Sequence, residues 1–371
     1  MEKERSIFHL LITALFVGIL LSFAIFYMIC TVFDHDHALT DTCLDGTVIE
    51  GEDLFSRFNR TVYQNENSLS RIRDFNYLLF HSINDPNTIV GRNGFLFEIE
   101  NTAFDYNYPE DYLGQSAFDE KELAAILSLL EARKQSYAER GSEYLLVVLP
   151  NAQSVYSENL PTYLGTASTS RLSHLESYLA KNGFTGMLNM TQDLIAYKDK
   201  GLLYNTTENS INSLGLYRTH LSVCDYLDRN YGIQAPILTH YDFYTHRTTG
   251  KSISQSAGLA DTIPNLTVSL ANTNVRGYLT VYQSTYAAKT VLDGQDHPLG
   301  ALETPSILLQ FPGSWEVLQA TPFFSNVFSE VTYQDNWYDD PEAFAEASPQ
   351  VVIQFIYEYQ LSALLSRDYY S

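Results

Sequence analysis

Two stretches of this chain are apolar without alternation. Glu143–Asn151 reads EYLLVVLPN, and Pro349–Tyr359 reads PQVVIQFIYEY. A strand with one wet face alternates polar and apolar residues, whereas a strand covered on both faces reads as a continuous apolar run. Runs of this length therefore imply a parallel sheet with helices on both sides. The intervening sequence supplies the helices. Phe118–Gly141 places Leu123, Ile126, Leu127 and Leu130 at helical spacing, with Asp119 at a natural N-cap and Gly141 as a stop. Ser168–Gly183 and Ser213–Gly232 read as two more helices, and Phe184–Met190 and Pro305–Phe311 as strands. Thr321–Val331 reads as a helix leading into a strand, and Asp339–Ser348 as a further helix. Such alternation predicts an α/β fold with a doubly wound sheet. Residues 234–304 interrupt it with a β-rich, polar insertion. Ahead of the first helix, Asn93-Gly94 lies between two β-prone runs, a hairpin-turn signal.

The N-terminus sets the compartment. Ile7–Phe33 contains no Asp, Glu, Lys or Arg. It exceeds the roughly 20 residues that span a bilayer and the core of a signal peptide, and no small-x-small cleavage site follows. Lys3 and Arg5 precede it, and Asp34 and Asp36 follow it. The positive-inside rule then puts residues 1–6 in the cytoplasm, 7–33 across the membrane as a signal anchor, and the rest outside. Residues 34–75 read as a polar juxtamembrane linker, and 76–371 as the extracytoplasmic domain. The linker's His35 and His37, between Asp34 and Asp36, offer metal-ligand side chains, but nothing fixes a coordination geometry, so a solvated linker is the expectation.

Net charge is −22. So acidic a surface repels polyanions and argues against nucleic acid as a partner. Cys43 and Cys224 are far apart in sequence and define no disulfide framework; a pair and two free thiols both stay open. Asn59, Asn189, Asn205 and Asn265 each begin an Asn-x-Ser/Thr triplet. No phosphate-binding glycine loop, GxSxG elbow, HExxH or CxxC occurs, so neither a cofactor nor a metal is expected.

The order of VGRNGFLF, YLLVVLPNAQSVYSENLP, GLLYNTTENSINSLG, PSILLQFPGSW and PQVVIQFIYEYQLSALL resembles the AlgJ/AlgX type of SGNH-hydrolase-like protein. The resemblance spans roughly residues 75–365. It implies an exported or anchored protein concerned with O-acetylation of a bacterial exopolysaccharide, working beside a membrane-bound O-acyltransferase. In that family a Tyr is followed by Thr-Asp-x-His-Trp-Asn and a Gly at a helix start, and a nucleophilic Ser lies in a later Gly-Asp-Ser turn. Here Tyr204, Asn212 and Gly215 keep the frame, while Glu208 stands at the Asp position, Ser210 at the His position and Ile211 at the Trp position. The later turn falls on Pro312, Gly313, Ser314 and Trp315.

A serine hydroxyl needs a neighbouring base to become a nucleophile. Ser210 cannot be that base. His297, with Asp293 and Asp296 nearby, His220 and Glu208 itself are the substitutes the sequence offers, and Ser314 could equally be a serine that caps the next helix. The catalytic set is therefore Ser314, Glu208 and His297, with Tyr204, Ser210, Asn212 and Trp315 as substrate contacts. Three functions follow: a degenerate, glycan-binding accessory of polysaccharide O-acetylation, an active O-acetyltransferase or esterase with a non-standard base, or an unrelated surface interaction protein.

Overall fold

The computed structural model describes residues 16–18, 21, 66–165, 167–233, 235–273, 278–282, 287–291, 304–337, 344–345 and 347–365. Most of the expected membrane span, the linker before residue 66, Cys30, Cys43, Asn59 and His297 lie outside them. Among the described residues, no helix is long and apolar enough to cross a membrane. The chain divides into two units at Phe80/His81. The described part of the first is mainly helix α1, Glu66–Phe80, with Phe75, Leu78, Leu79 and Phe80 exposed.

The second unit opens with a hairpin, β1 (Thr88–Val90) against β2 (Leu96–Glu98). Asn93 and Gly94 both take positive φ, 56° and 81°, and Phe95 N–H bonds Arg92 O, which is the turn the Asn-Gly pair predicts. A small pair follows, β3 (Glu100–Asn101) with β4 (Tyr106–Asn107), then a short helix α2 (Tyr108–Tyr112) and the long α3 (Glu120–Glu139). Asp119 caps α3, accepting from Lys121 and Glu122 N–H, while Glu122 reaches back to Asp119 N–H.

Next come β5 (Glu143–Leu149), α4 (Ala152–Val155), α5 (Arg171–Lys181), β6 (Met187–Asn189), α6 (Thr191–Tyr197) and α7 (Ser213–Tyr231). The expected insertion contains β7 (Phe243–Thr248), α8 (Ser252–Ser256), β8 (Asn265–Leu270), β9 (Tyr278–Tyr282) and β10 (Ala287–Val291). The unit closes with β11 (Ser306–Gln310), α9 (Ser314–Phe324), β12 (Glu330–Gln334), β13 (Val351–Tyr357) and a 3-10 helix, Glu358–Leu365.

The main sheet runs β6-β5-β13-β11-β12-β10-β9. Its first five strands are parallel, and β10 and β9 continue it antiparallel. The insertion is thus not one appendage. Its first hairpin, β7–β8, is a separate two-stranded sheet, and its second, β9–β10, widens the main one. Along β5, Leu145, Val147 and Leu149 enter one core, and Tyr144, Leu146 and Val148 enter another. The first core is closed by α6, α7 and α9 through Leu194, Tyr217, Leu227, Val317 and Phe324, the second by α3 and α5 through Ile126, Leu130 and Leu175. Two covered faces are why β5 and β13 read as unbroken apolar runs.

Helix α9 begins seven residues before the expected Thr321 and carries Pro322 inside it. The proline removes one N–H bond four residues back, to Leu318, whose side chain is 68% exposed, so that carbonyl lies on the wet side of the helix.

Two buried acids, Asp111 in α2 and Glu358 at the start of the closing 3-10 helix, interact electrostatically. Glu358 accepts from Asn151 N–H at 2.9 Å and Ser154 Oγ at 2.7 Å, and Asp111 accepts from Arg171 N–H at 2.7 Å and from the Tyr106 hydroxyl. Burial, and then the charge of Asp111, push the Glu358 carboxyl up to about 7. Burial also raises Asp111. A carboxyl whose folded pKa is raised stabilises the fold below its ordinary value of 4.5, and that contribution fades as pH rises through about 7. The difference in melting temperature between wild type and Glu358→Gln should therefore favour wild type more at pH 5 than at pH 8. Thermal melts at the two pH values check this; an equal difference at both contradicts it.

Candidate functional site

The connection leaving β5 leads to β6 on one side of the sheet, and that leaving β11 leads to β12 on the other, with β13 between. In parallel sheets a crevice opens at such a switch point, beyond the carboxyl ends of the strands. Here β5 delivers Pro150 and Asn151 to that edge, β13 delivers Tyr357 to Tyr359, and β11 delivers Pro312 to Glu316.

The segment Gly201–Gly215 lies against this edge. Its loop folds on itself: Asn212 N–H bonds Leu203 O at 2.9 Å, Asn205 N–H bonds Ser210 O at 3.0 Å, and Tyr204 pairs with Ile211. The buried Tyr204 hydroxyl donates to Pro150 O, which pins the loop to the end of β5. Asn212 is the N-cap of α7, accepting from Leu214 and Gly215 N–H, while its amide donates to Leu202 O at 2.8 Å and to Tyr204 O at 3.4 Å. A Cβ on Gly215 would sit 2.4 Å from Ile211 Cγ1 and 2.5 Å from Leu203 O, so only glycine permits the approach. The residues that keep the family's frame are thus those that build the loop.

Ser210 is buried, and its Oγ accepts from Asn205 Nδ2 at 2.7 Å. The same amide reaches Glu208 Oε2 at 3.3 Å. Asn205 and Asn265 are themselves buried and joined at 3.3 Å, so neither is an accessible glycosylation acceptor as the protein stands folded. Ser314 is the first residue of α9, whose N-cap is Gly313 with no side-chain cap bond; the serine is therefore not the cap. Trp315 follows it in the first turn.

Glu316, also in that turn, was not singled out from sequence. Its Oε1 accepts from Tyr357 OH at 3.1 Å. Burial raises its carboxyl above the usual range, and the Glu208 charge adds to the shift. Burial pushes the Tyr357 phenol well up, against a smaller lowering by the Ile211 backbone, so its hydroxyl lies between the loop that carries Glu208 and Ser210 and the start of α9.

Glu98, at the end of β2, completes the acidic surround. Its Oε2 accepts from Asn209 Nδ2 at 2.7 Å and from Tyr108 OH at 3.3 Å. Burial raises its carboxyl, and the Glu208 charge again contributes. Burial, then the charges of Glu316, Glu98 and Glu208, push the Tyr359 phenol up. None of these three carboxylates forms an ion pair among the described residues.

His220 is no substitute base. It is buried in α7, edge-on to Phe324 with ring centroids 4.7 Å apart, and burial alone lowers it to about 3. Its Nε2 lies 3.7 Å from Sγ of Cys224, a free and buried thiol that burial pushes up. Among the described residues no three His, Cys, Asp or Glu side chains are grouped to hold a metal. Only a serine-plus-two spacing hinted at Glu316, and nothing marked Glu98, Tyr357 or Tyr359, because packing and not spacing brings them here.

No family model and no curated protein matches the sequence. Solved structures do match the fold. A DHHW family protein from Eubacterium siraeum DSM 15702 aligns at a TM-score of 0.52 and 15% identity, over 77% of this chain and 100% of that one. Bacillus cereus PatB1 with a sulfonyl adduct aligns at 0.51 and 11%, over 76% and 96%. The O-acetyltransferase domain of Pseudomonas putida AlgJ aligns at 0.47 and 14%, over 75% and 93%. The likeness to the DHHW family protein and to PatB1 is one of fold, a mixed α/β architecture around a parallel sheet.

If Asn212 and Gly215 build the loop, each should cost stability when changed. Asn212→Ala removes a cap worth about 1 kcal/mol and strands two carbonyls. Gly215→Ala overpacks the loop by about 1–3 kcal/mol. Urea denaturation measures both; wild-type midpoints for both variants would contradict the assignment.

Proposed function

We propose that this chain is a membrane-anchored, extracytoplasmic SGNH-like protein that serves O-acetylation of a cell-surface polysaccharide or exopolysaccharide. It acts as a catalytically degenerate accessory or glycan-binding subunit, beside a membrane-bound O-acyltransferase and anchored through residues 7–33. The observation that carries this reading is a contrast within one loop. Tyr204, Asn212 and Gly215 hold the frame by hydrogen bonds and close packing, while Glu208 and Ser210 occupy the positions from which an acid and a histidine would move a proton. The Ser210 hydroxyl is engaged by Asn205, and His220 is locked in the core. Loss of one triad member typically costs about 10⁴-fold or more in rate.

A second reading, an active O-acetyltransferase or esterase using Ser314, is favoured by Glu316. Its carboxyl, raised by burial and held by Tyr357, lies in the first turn of the helix whose first residue is Ser314. Glu208 is the carboxylate that the sequence offers for the same role. The base would take the Ser314 proton as Oγ attacks an acetyl ester, and return it to the alcohol oxygen that leaves as the acetyl passes to Ser314.

One experiment separates the two. The full chain, purified in detergent, is assayed on a chromogenic acetyl ester and treated with an arylsulfonyl fluoride, since PatB1, which shares the fold, is described with a sulfonyl adduct. The accessory reading predicts turnover in wild type within about twofold of Ser314→Ala and no adduct at residue 314. Turnover that disappears in both Ser314→Ala and Glu316→Gln overturns it in favour of the carboxylate base.

A further inference from the structure

Helix α1, Glu66–Phe80, carries its polarity the wrong way round for water. Ile72, Phe75, Leu78 and Leu79 fall within one arc of about 120° around the helix axis, and all four are exposed. Leu78 is 68% exposed and Leu79 57%. Phe80, also exposed, sets its ring edge-on to Phe75 at 6.5 Å and extends the patch at the end of the helix. The opposite side holds Ser70, Arg73, Asp74 and Tyr77, and these are the half-buried residues. Arg73, Asp74 and Tyr77 all engage other groups. A helix at the surface of a globular protein does the reverse, with its apolar stripe inward and its charges in water. Contiguous exposed apolar surface marks a contact with another molecule or with lipid.

Three observations select lipid. The first is position. Residues 34–65 stand between α1 and the anchor 7–33, and 32 residues reach at most about 110 Å in any conformation, so the bilayer surface is always near. The second is charge. Arg71 lies inside the apolar arc, exposed, and forms no ion pair among the described residues. Against a second copy of the helix it would be sealed in an apolar seam without a partner, which is costly. At a bilayer its stem can follow the lipid chains while its guanidinium reaches a phosphate. No acidic residue follows Asp74 in the helix to oppose that contact. The third is length. Fifteen residues of helix extend about 22 Å, too short to cross a hydrocarbon core of about 30 Å but ample for lying along its surface.

We infer that α1 is an interfacial helix: it lies in the plane of the bilayer surface, with Ile72, Phe75, Leu78 and Leu79 among the lipid chains and Arg71 at the phosphates. It is a second membrane contact, made after the anchor and from outside the membrane. The inference rests on the membrane-anchored reading and adds to it the place where the chain returns to the surface.

The test is fluorescence quenching in vesicles. The full chain is reconstituted in phosphatidylcholine and phosphatidylglycerol at about 3:1, with and without bromine on the phosphatidylcholine chains. Leu79→Trp, inside the apolar arc, and Ser70→Trp, on the opposite side, each add one indole. The emission of Trp315 and Trp337 is recorded on wild type and subtracted. Bromine should quench the added emission of Leu79→Trp by about half or more, and that of Ser70→Trp by less than about a fifth. Equal quenching of the two, or none at Leu79→Trp, overturns the inference. A blue, unquenched emission from Leu79→Trp that fades as the protein is diluted in lipid identifies a second copy as the cover and overturns it too. Retention of the full chain after an alkaline carbonate wash reads the anchor separately. Retention with an unquenched Leu79→Trp overturns the helix contact alone, and loss of retention overturns both.

Discussion

Asn212 is 1% exposed and uses its whole amide. Its oxygen takes the N–H groups of Leu214 and Gly215 in the first turn of α7, and its nitrogen serves the carbonyls of Leu202 and Tyr204. A helix start and a loop are thereby fixed to each other before any chemistry is considered. Gly215 lets the helix approach that loop, and Tyr204 ties the loop to the end of β5. The position of Glu208 and Ser210 at the sheet edge follows from these contacts. The frame residues therefore have a structural role whatever stands at 208 and 210, and Ser210 itself helps close the loop by accepting from Asn205.

Three acids gather where that loop meets α9 and β2. Glu98, Glu208 and Glu316 come from different parts of the chain and all bear on Tyr359. Desolvation is the largest cause of the raised carboxyls of Glu98 and Glu316, so their protons are held by burial more than by one another. The crevice is consequently proton-retaining, and among the described residues none of its three acids is ion-paired. That keeps one route to base catalysis open through Glu316. His220 offers no comparable route, because its imidazole is sealed among Phe323 and Phe324.

Much of the scaffold was legible in sequence because the signals were local or periodic. The capping residues around α3, the Asn-Gly turn and the unbroken apolar strands each report their own environment. The helix read from Thr321 starts earlier, at Ser314, and tolerates Pro322 because the lost bond falls on its wet side. The division of the β-rich insertion was invisible, since which sheet a hairpin joins is decided by long-range pairing. At the site, the loop frame could be aligned by resemblance, but Glu98 and Tyr357 carry no spacing signal. Glu98 ends a separate hairpin and Tyr357 ends β13; packing brings them together, and the burial that alters their chemistry is a property of the packed molecule alone.

The central proposal is that the loop keeps an active-site frame in which Glu208 and Ser210 stand where the proton-moving pair would be. The most direct measurement is the acetyl-ester hydrolysis rate of the double variant Glu208→Asp, Ser210→His, compared with wild type and with the same variant carrying Ser314→Ala. The account predicts a rate at least tenfold above wild type that the third substitution abolishes. A folded double variant with no gain, or a gain that survives loss of Ser314, would contradict it.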